Sequence, residues 1–332
     1  MLPLCTNGDG LLAIMVRQQG AATLPDTRTP QESKSLTADN TADFPYRPVD
    51  EPGDAATRKR YWATAIGLQK VDGLEPSRYL LSLAEQNASG ELTLRETAEY
   101  IASYHSKEDT GDPERQNSRE ADLVSQRIVE LLASRSFLFD PEMLSIVHAA
   151  LFRDLDSEVY RPGLYKREAL MKQEAILNGD SVVYGDPALI DRALALLFER
   201  EEGSDYGFEF DRERINRFSS FIAHLWQVHP FEEGNTRTVA VFAELYLGHL
   251  GFDVTNNPFE HHSKYFRDAL VRANYRNAKA KIKPEIDYLA LFFENLLCGA
   301  THTLDSTDLI VASLFDDPTL LRNVDPSQAL NR

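Results

Sequence analysis

Nine consecutive residues of this 332-residue chain carry side chains that could do chemistry together: His229-Pro230-Phe231-Glu232-Glu233-Gly234-Asn235-Thr236-Arg237. An imidazole titrates near neutral pH and can take a proton from a hydroxyl without much tuning. Glu233 offers the hard oxygen that Mg2+ favours. Gly234-Asn235 reads as a tight turn tolerant of positive φ. A helix expected from about Thr236 would open with unpaired N–H groups, forming an anion nest. Arg237 adds a forked cationic donor beside it. A carboxylate next to a phosphate nest is repulsive, and a bridging Mg2+ removes that conflict. Each part alone is common: a histidine can simply cap a helix end, and a glutamate can complement a helix dipole. Their order and spacing are more specific, and together they are the parts that phosphoryl-type transfer requires.

These residues need two helices to hold them. Pro230 cannot continue a helix, so His229 falls at the end of one. Ile215, Phe218, Ile222, Leu225 and Trp226 recur at the helical period ahead of it. A second helix follows Arg237 and stops at Gly248 or Gly251. Further helices are expected after Pro187 and over Lys264–Tyr275 and Ile286–Leu297, with apolar faces at Leu123–Leu132 and Met143–Phe152 earlier in the chain. One stretch breaks the pattern. Ala175–Tyr184 is two β-prone runs around Asn178-Gly179, a hairpin signal whose free strand could pair with an extended peptide.

A separate helical segment, Asp54–His105, breaks into three short helices at Gly73–Pro76 and Asn87–Gly90, with Thr93 and Glu96 spaced as a capping box. The domain plan is a disordered segment over 1–48, a three-helix module over 49–107, a charged linker over 108–118, a catalytic domain over 119–302 and a tail over 303–332 containing one short helix. The first segment is too poor in apolar residues to offset its ordering entropy.

Composition restricts the partners. The formal charge of −17 repels phosphate backbones and anionic lipid, so neither nucleic acid nor a membrane is expected as a main partner. Cys5 and Cys298 cannot make a disulfide framework. No apolar run reaches the length of a membrane span, and Leu11–Val16 lacks the basic lead of a signal peptide, so the expected location is cytoplasmic.

The nine-residue motif resembles the Fic-family signature, His-Pro-Phe-x-(Asp/Glu)-Gly-Asn-(Gly/Lys)-Arg, and the resemblance extends over roughly Arg119–Ala300. Met143–Asp154 (MLSIVHAALFRD) resembles the family's helix ahead of the active site. The Asn178-Gly179 hairpin resembles its target-positioning flap, and Tyr265–Tyr275 (YFRDALVRANY) the helix at the nucleotide's adenosine end. The resemblance implies a mainly α fold, a Fic-type helical bundle with one β-hairpin flap preceded by the small helical module. It implies a protein adenylyltransferase that moves AMP from ATP to a Ser, Thr or Tyr hydroxyl of a target protein, self-modification included. His229 would be the general base and pyrophosphate the leaving group. Glu233 would hold Mg2+, the amides of Gly234–Thr236 would bind phosphates, Asn235 would brace the loop or a phosphate, and Arg237 would contact the β-phosphate. Phe231, Tyr265 and Asn274 would border the nucleotide. A flap strand over Leu170–Leu177, with Ile176, Leu177, Asn178 and Gly179 at its tip, would clamp the target backbone. The segments Ala65–Leu74 (AIGLQKVDGL) and Gly90–Thr93 (GELT) resemble the small antitoxins that partner some Fic toxins, here fused in one chain.

Three positions depart from that pattern. Thr236 replaces the usual Gly, or the Lys of kinase-like Doc relatives. Ala240 stands where many members carry a second arginine for the γ-phosphate. The inhibitory pattern (Ser/Thr)-x-x-x-Glu-(Gly/Asn) is met only by Leu68-x-x-x-Asp72-Gly73. Asp72 and Gly73 are the candidate regulatory residues. Without an arginine at 240, an acid there would lack its partner, so the module is expected to stabilise the fold rather than to inhibit. Two readings stay open beside AMP transfer: a Fic-type transferase of UMP, phosphocholine or phosphate, and a non-catalytic nucleotide- or peptide-binding module. A metal hydrolase built on His224, His229, His261 and His262 lacks His-Glu-x-x-His and is set aside.

Overall fold

Local capping decides where the first helices begin. In the computed structural model, which describes residues 54–106, 113–207, 209–252, 254 and 257–322, α1 (Ala55–Gln69) opens on Asp54, whose carboxylate accepts the Thr57 N–H at 2.7 Å. α2 (Arg78–Ser89) opens on Ser77 and closes on Gly90 at φ 87°. α3 (Leu94–Ser106) starts with the reciprocal box read from the sequence: Glu96 N–H donates to Thr93 Oγ1 at 3.2 Å, and Thr93 N–H to the Glu96 carboxylate at 2.9 Å. The expected segment 1–48 lies outside the described residues, as do Cys5 and residues 323–332.

α4 (Pro113–Ser134) corrects the expected linker. It begins inside 108–118 and buries Arg115 and Ser118. Its buried apolar positions begin at Ala121, just beyond the stretch that looked charged and loose, and the helix they anchor runs back into it as far as Pro113. α4 also supplies Asp122, a buried carboxylate that accepts from the Ser77 hydroxyl at 2.7 Å and sits 2.9 Å from His105 Nε2. This single acid ties the start of α2 and the end of α3 to α4.

Six longer helices complete the core: α5 (Glu142–Phe152), α6 (Ile190–Glu202), α7 (Arg212–Val228), α8 (Asn235–His249), α9 (Phe259–Asn274) and α10 (Asp287–Leu297). α8 is buried on every side from Asn235 to Leu247, with α4, α5 and α7 packed against it. A helix without a wet face belongs in the middle of a fold, and the motif forms its leading end. α1 packs against both α4 and α9, so the three-helix module shares one core with the rest of the described chain.

The fold is mainly helical, as expected, but the hairpin is not a hairpin. Among the described residues no strand ladder forms, and a lone antiparallel bridge joins Asn277 and Ile282. Ala175–Leu177 makes one 3-10 turn that ends on Asn178 in the left-handed region (φ 54°), closed by Glu174 N–H to Asp180 O at 2.9 Å and Gly179 N–H to Glu174 O at 3.0 Å. Asn-Gly made its turn, but Ile176 and Leu177 are apolar enough to be drawn into the core, and their backbone pairs elsewhere. Val311 N–H donates to Ile176 O, and Asn178 Nδ2 to Leu314 O. The tail supplies these partners through α11 (Ala312–Asp316). His261 and His262, ahead of the helix expected from Lys264, lie in the first turns of α9, with a kink at His262 (φ −122°). No helix among the described residues is long and apolar enough to cross a membrane.

The approach of α1 to α9 leaves no room at Gly67. A Cβ there would stand 2.2 Å from Phe259 O, and the Ser263 hydroxyl donates to Gly67 O at 2.6 Å. Alanine normally improves a helix by up to about 1 kcal/mol over glycine, but the obstacle here is backbone and cannot swing aside. Gly67→Ala is therefore expected to lower stability by about 1–3 kcal/mol, as read by denaturant unfolding of the full chain; an unchanged or raised midpoint would refute the tight contact.

Candidate active site

α7 ends one residue before Pro230, and His229 takes up the left-handed conformation (φ 49°, ψ 60°) that turns the chain. That region is unfavourable for a residue with a Cβ, so something must hold it. Lys166 does so from the loop between α5 and α6: its N–H donates to Pro230 O at 2.7 Å and its ammonium to Val228 O at 3.4 Å. The imidazole stacks on Tyr184 at 3.9 Å and meets the edge of Trp226 at 5.6 Å, leaving 5% of the residue exposed. Burial, then the charges of Lys166 and Lys172, push its pKa well below the ordinary histidine value. His229 is thus a neutral imidazole at physiological pH, the form a base needs. Its Nδ1 is buried without a hydrogen bond.

The turn after it is clamped by two side chains. Asn235 Oδ1 accepts the Phe231 N–H at 3.0 Å while its Nδ2 donates to Phe231 O at 2.8 Å. His148 on α5 accepts the Gly163 N–H at Nδ1 (2.9 Å), so its proton sits on Nε2 and is donated to Glu233 O at 3.0 Å. His148 lies flat on Phe231 at 3.8 Å. Burial lowers its pKa to about 4. Gly234 needs to be glycine twice over, because its φ is 77° and a Cβ would stand 2.3 Å from the Phe152 ring. Thr236 turns its hydroxyl away to accept the Trp226 indole N–H at 3.0 Å. No side chain caps the start of α8, so its first N–H groups remain available to an anion.

The cleft in front of this turn has two adjoining parts. The first, lined by Asp72, Lys172, Trp226, His229, Glu233–Thr236 and Arg267, has only about 10 Å3 of free volume. The second opens to about 420 Å3 around Val71, Asp72, Glu120, Tyr160 and Arg237. Asp72, Lys172, Glu233 and Arg267 line both. Arg237 is 1% exposed and closely held. Its Nη1 donates to Gln69 at 3.1 Å and its Nη2 to Glu120 at 2.8 Å, with Asp72 2.9 Å from Nε and the Phe152 ring 4.9 Å from the guanidinium carbon. Burial alone would weaken its charge, and Asp72 with Glu120 more than offset this. Lys172 reaches Glu233 at 3.4 Å.

Residues 138–247 match the model of the Fic/DOC family. The matched segment, about a third of the chain, is similar to Fic/DOC domains. Members of this family commonly transfer AMP or other groups, which makes a transferase the coarse expectation here. A Fic domain containing signaling protein from Bacteroides thetaiotaomicron is similar in structure, with a TM-score of 0.44 and 13% identity over 76% of this chain and 96% of that one. A comparison with curated proteins found no match. The matched Fic/DOC segment runs from just before α5 into the last turn of α8, so Asp72, Glu120 and Arg267 reach the cleft from outside it, and Gln69 reaches Arg237.

Of the residues singled out from the sequence, the matched segment brings His229, Glu233, Gly234, Asn235, Thr236 and Arg237 together, and Asp72 joins them from the 3-10 turn after α1. Gly73, at φ 70°, turns the chain behind Asp72. Other assignments are corrected. Phe231 is 1% exposed and packs on His148 rather than lining the cleft. Tyr265 and Asn274 are buried with their polar groups engaged, the first with Tyr288 O and the second with Ala223 O and Leu270 O. Ile176, Leu177, Asn178 and Gly179 are buried beneath the C-terminal segment, which already takes the pairing edge. The expectation that an acid at 72 lacks a partner also fails, because Arg237 itself is the partner. His148, Lys166, Lys172 and Arg267 were not singled out. Only His148 left a signal, a polar residue on the apolar face of Met143–Phe152.

Among the described residues no three metal-binding side chains cluster. The donor set still suits Mg2+, which is held by one or two carboxylates together with substrate phosphates. Glu233, its side chain 42% exposed to the cleft, is the residue that would hold it.

Because His148 binds a proton near pH 6.5 when unfolded but only near pH 4 when folded, the unfolded chain takes up more protons in between. Stability is then full above about pH 6.5 and declines as pH falls toward 4, by up to about 3 kcal/mol from this group. His229 acts in the same direction. His148→Phe keeps the stacking, loses both hydrogen bonds and is expected to cost about 1–3 kcal/mol at pH 7 while flattening this pH dependence, as measured by denaturant unfolding across the window.

Proposed function

We propose that this chain is a protein adenylyltransferase. His229 takes the proton of a Ser, Thr or Tyr hydroxyl on a target protein, the oxygen forms a bond to the α-phosphorus of ATP, and the bond to pyrophosphate breaks. The observation that carries the reading is the neutral, buried His229 placed beside the uncapped start of α8, with Glu233 on the turn between them. A base next to an anion nest suits attack of a hydroxyl on a bound phosphate, and the electrostatic part of such catalysis comes from fixed donors aimed at the phosphate oxygens. Mg2+ at Glu233 would neutralise phosphate charge. Asn235 braces the turn, and Arg237 is a fixed cation on the first turn of α8. The partly exposed stretch 168–173, which belongs to no helix or strand, lies ahead of the buried 176–179 turn and is the part of the loop left for a target backbone. No partner of the nucleic-acid or membrane type is invoked.

Transfer of label from α-phosphate-labelled ATP with Mg2+ to lysate proteins, and to the chain itself, tests this. Label is expected with the natural chain and a loss of about 10²–10⁴-fold with His229→Ala. Equal labelling by both would remove His229 from the mechanism, and labelling only from other nucleotides would reassign the transferred group. Since the imidazole's pKa lies below 6.5, kcat/KM is expected to hold its plateau below pH 6.5, and its acid limb to appear only at lower pH; a limb at 6.5 or above would contradict the burial.

The closeness of the first part of the cleft has a consequence for regulation. With Asp72 on Arg237 and about 10 Å3 free beside His229, a phosphate tail must displace side chains to enter. Asp72→Ala is expected to raise affinity for Mg·ATP several-fold while lowering the melting temperature, because Arg237 loses one of its two carboxylates. A loss of affinity would instead make Asp72 part of the nucleotide site.

A further inference from the structure

Arg267, on α9, differs from Arg237 in one respect that bears on ligands. Arg237 is engaged from three directions, whereas among the described residues Arg267 makes no hydrogen bond at all. Its one ionic contact is with Glu174, 2.8 Å from Nη2, and that carboxylate oxygen is itself without a hydrogen bond. Glu174 is fully buried and receives the Tyr184 hydroxyl at 3.1 Å on its other oxygen. The contact therefore anchors the guanidinium by charge and leaves its donors for something else. Burial would weaken the Arg267 charge, and Glu174 with Asp268 more than offset this, so it stays a cation. Its side chain is 15% exposed and lines both parts of the cleft, at the junction between the His229 turn and the Arg237 side. A planar fork with free donors, held from behind by a buried acid, is the arrangement that receives phosphate oxygens.

Resting on the adenylyltransferase reading above, we infer that Arg267 binds the polyphosphate tail of the nucleotide, the oxygens beyond the phosphate seated at the start of α8. The charges in the cleft favour this residue over its neighbours. Arg237 is neutralised by Asp72 and Glu120, and Lys172 is paired with Glu233. Arg267 has its carboxylate behind it rather than in the cleft. An anion that spans the two parts passes its guanidinium, and on this inference the contact is made by the oxygens that AMP lacks.

The test is equilibrium binding by calorimetry on the full chain carrying His229→Ala, so that nothing is turned over, with Mg·ATP and AMP as the two probes. Arg267→Gln is expected to weaken Mg·ATP binding tenfold or more and to change AMP binding less than twofold, with Arg267→Lys recovering part of the loss. Should Arg267→Gln alone fail to fold because Glu174 is left as a buried unpaired charge, Arg267→Gln with Glu174→Gln removes both charges and carries the same comparison. Unchanged Mg·ATP affinity, or equal losses for ATP and AMP, overturns the inference while leaving the adenylyltransferase reading intact. Binding of neither probe by the parent chain overturns both.

Discussion

A guanidinium with almost no access to water has to be surrounded by acceptors, and the fold is arranged around that requirement at Arg237. Gln69 and Asp72 come from the end of α1 and the turn that follows, Glu120 from α4, and Tyr160 from the loop after α5. None is near Arg237 in sequence. The desolvation of one charge is offset only when all these segments are in place, so the module at the chain's beginning and the motif on α8 are joined by electrostatics as well as by packing. This is also why α1 ends where it does: Lys70–Asp72 tightens to a 3-10 turn that carries the carboxylate to the arginine.

The second support is mechanical. His229 sits in a backbone region that residues with a Cβ avoid, and the turn beyond it contains a glycine that is also left-handed. Such a segment keeps its shape only when over-determined. Lys166 holds the carbonyls at the end of α7, Asn235 holds both backbone groups of Phe231, and His148 holds the carbonyl of Glu233. Three polar side chains that do not themselves face a reacting group thereby fix the imidazole, the carboxylate and the start of α8 relative to one another.

Much of this was legible in the sequence because it is local. Pro230 ended a helix, Gly234-Asn235 made the turn, and Thr93 with Glu96 closed a capping box as their spacing required. What escaped was set by contacts far along the chain. Asn178-Gly179 did turn the backbone, but whether its flanks paired with each other or sank beneath the segment around Val311 depended on residues more than a hundred positions away. Lys107–Ser118 looked like a linker because its charges were visible, while the partners its second half meets, Arg78 on α2 and Tyr104 on α3, were not. Arg267 gave no sign, since its meaning depends on Glu174 behind it and on the cleft before it. Ala240 suggested a missing partner for Asp72, and only the folded chain shows that Arg237 fills that place.

The reach of α1 across the chain sets a timetable for synthesis. Gly67 O accepts from Ser263, 196 residues later, and the Thr64 hydroxyl donates to Glu244 on α8 and to Asn257 beyond it. At a ribosomal rate of about 5–20 residues per second, α1 waits roughly 10–40 s for these partners. During that interval Trp62 can meet Asn87 on α2, but the Gly67 side of α1 and the glutamine and aspartate that later hold Arg237 lack their partners. The nascent chain is thus a client for whatever shields apolar surface in the cell, and its final closure awaits the emergence of α9.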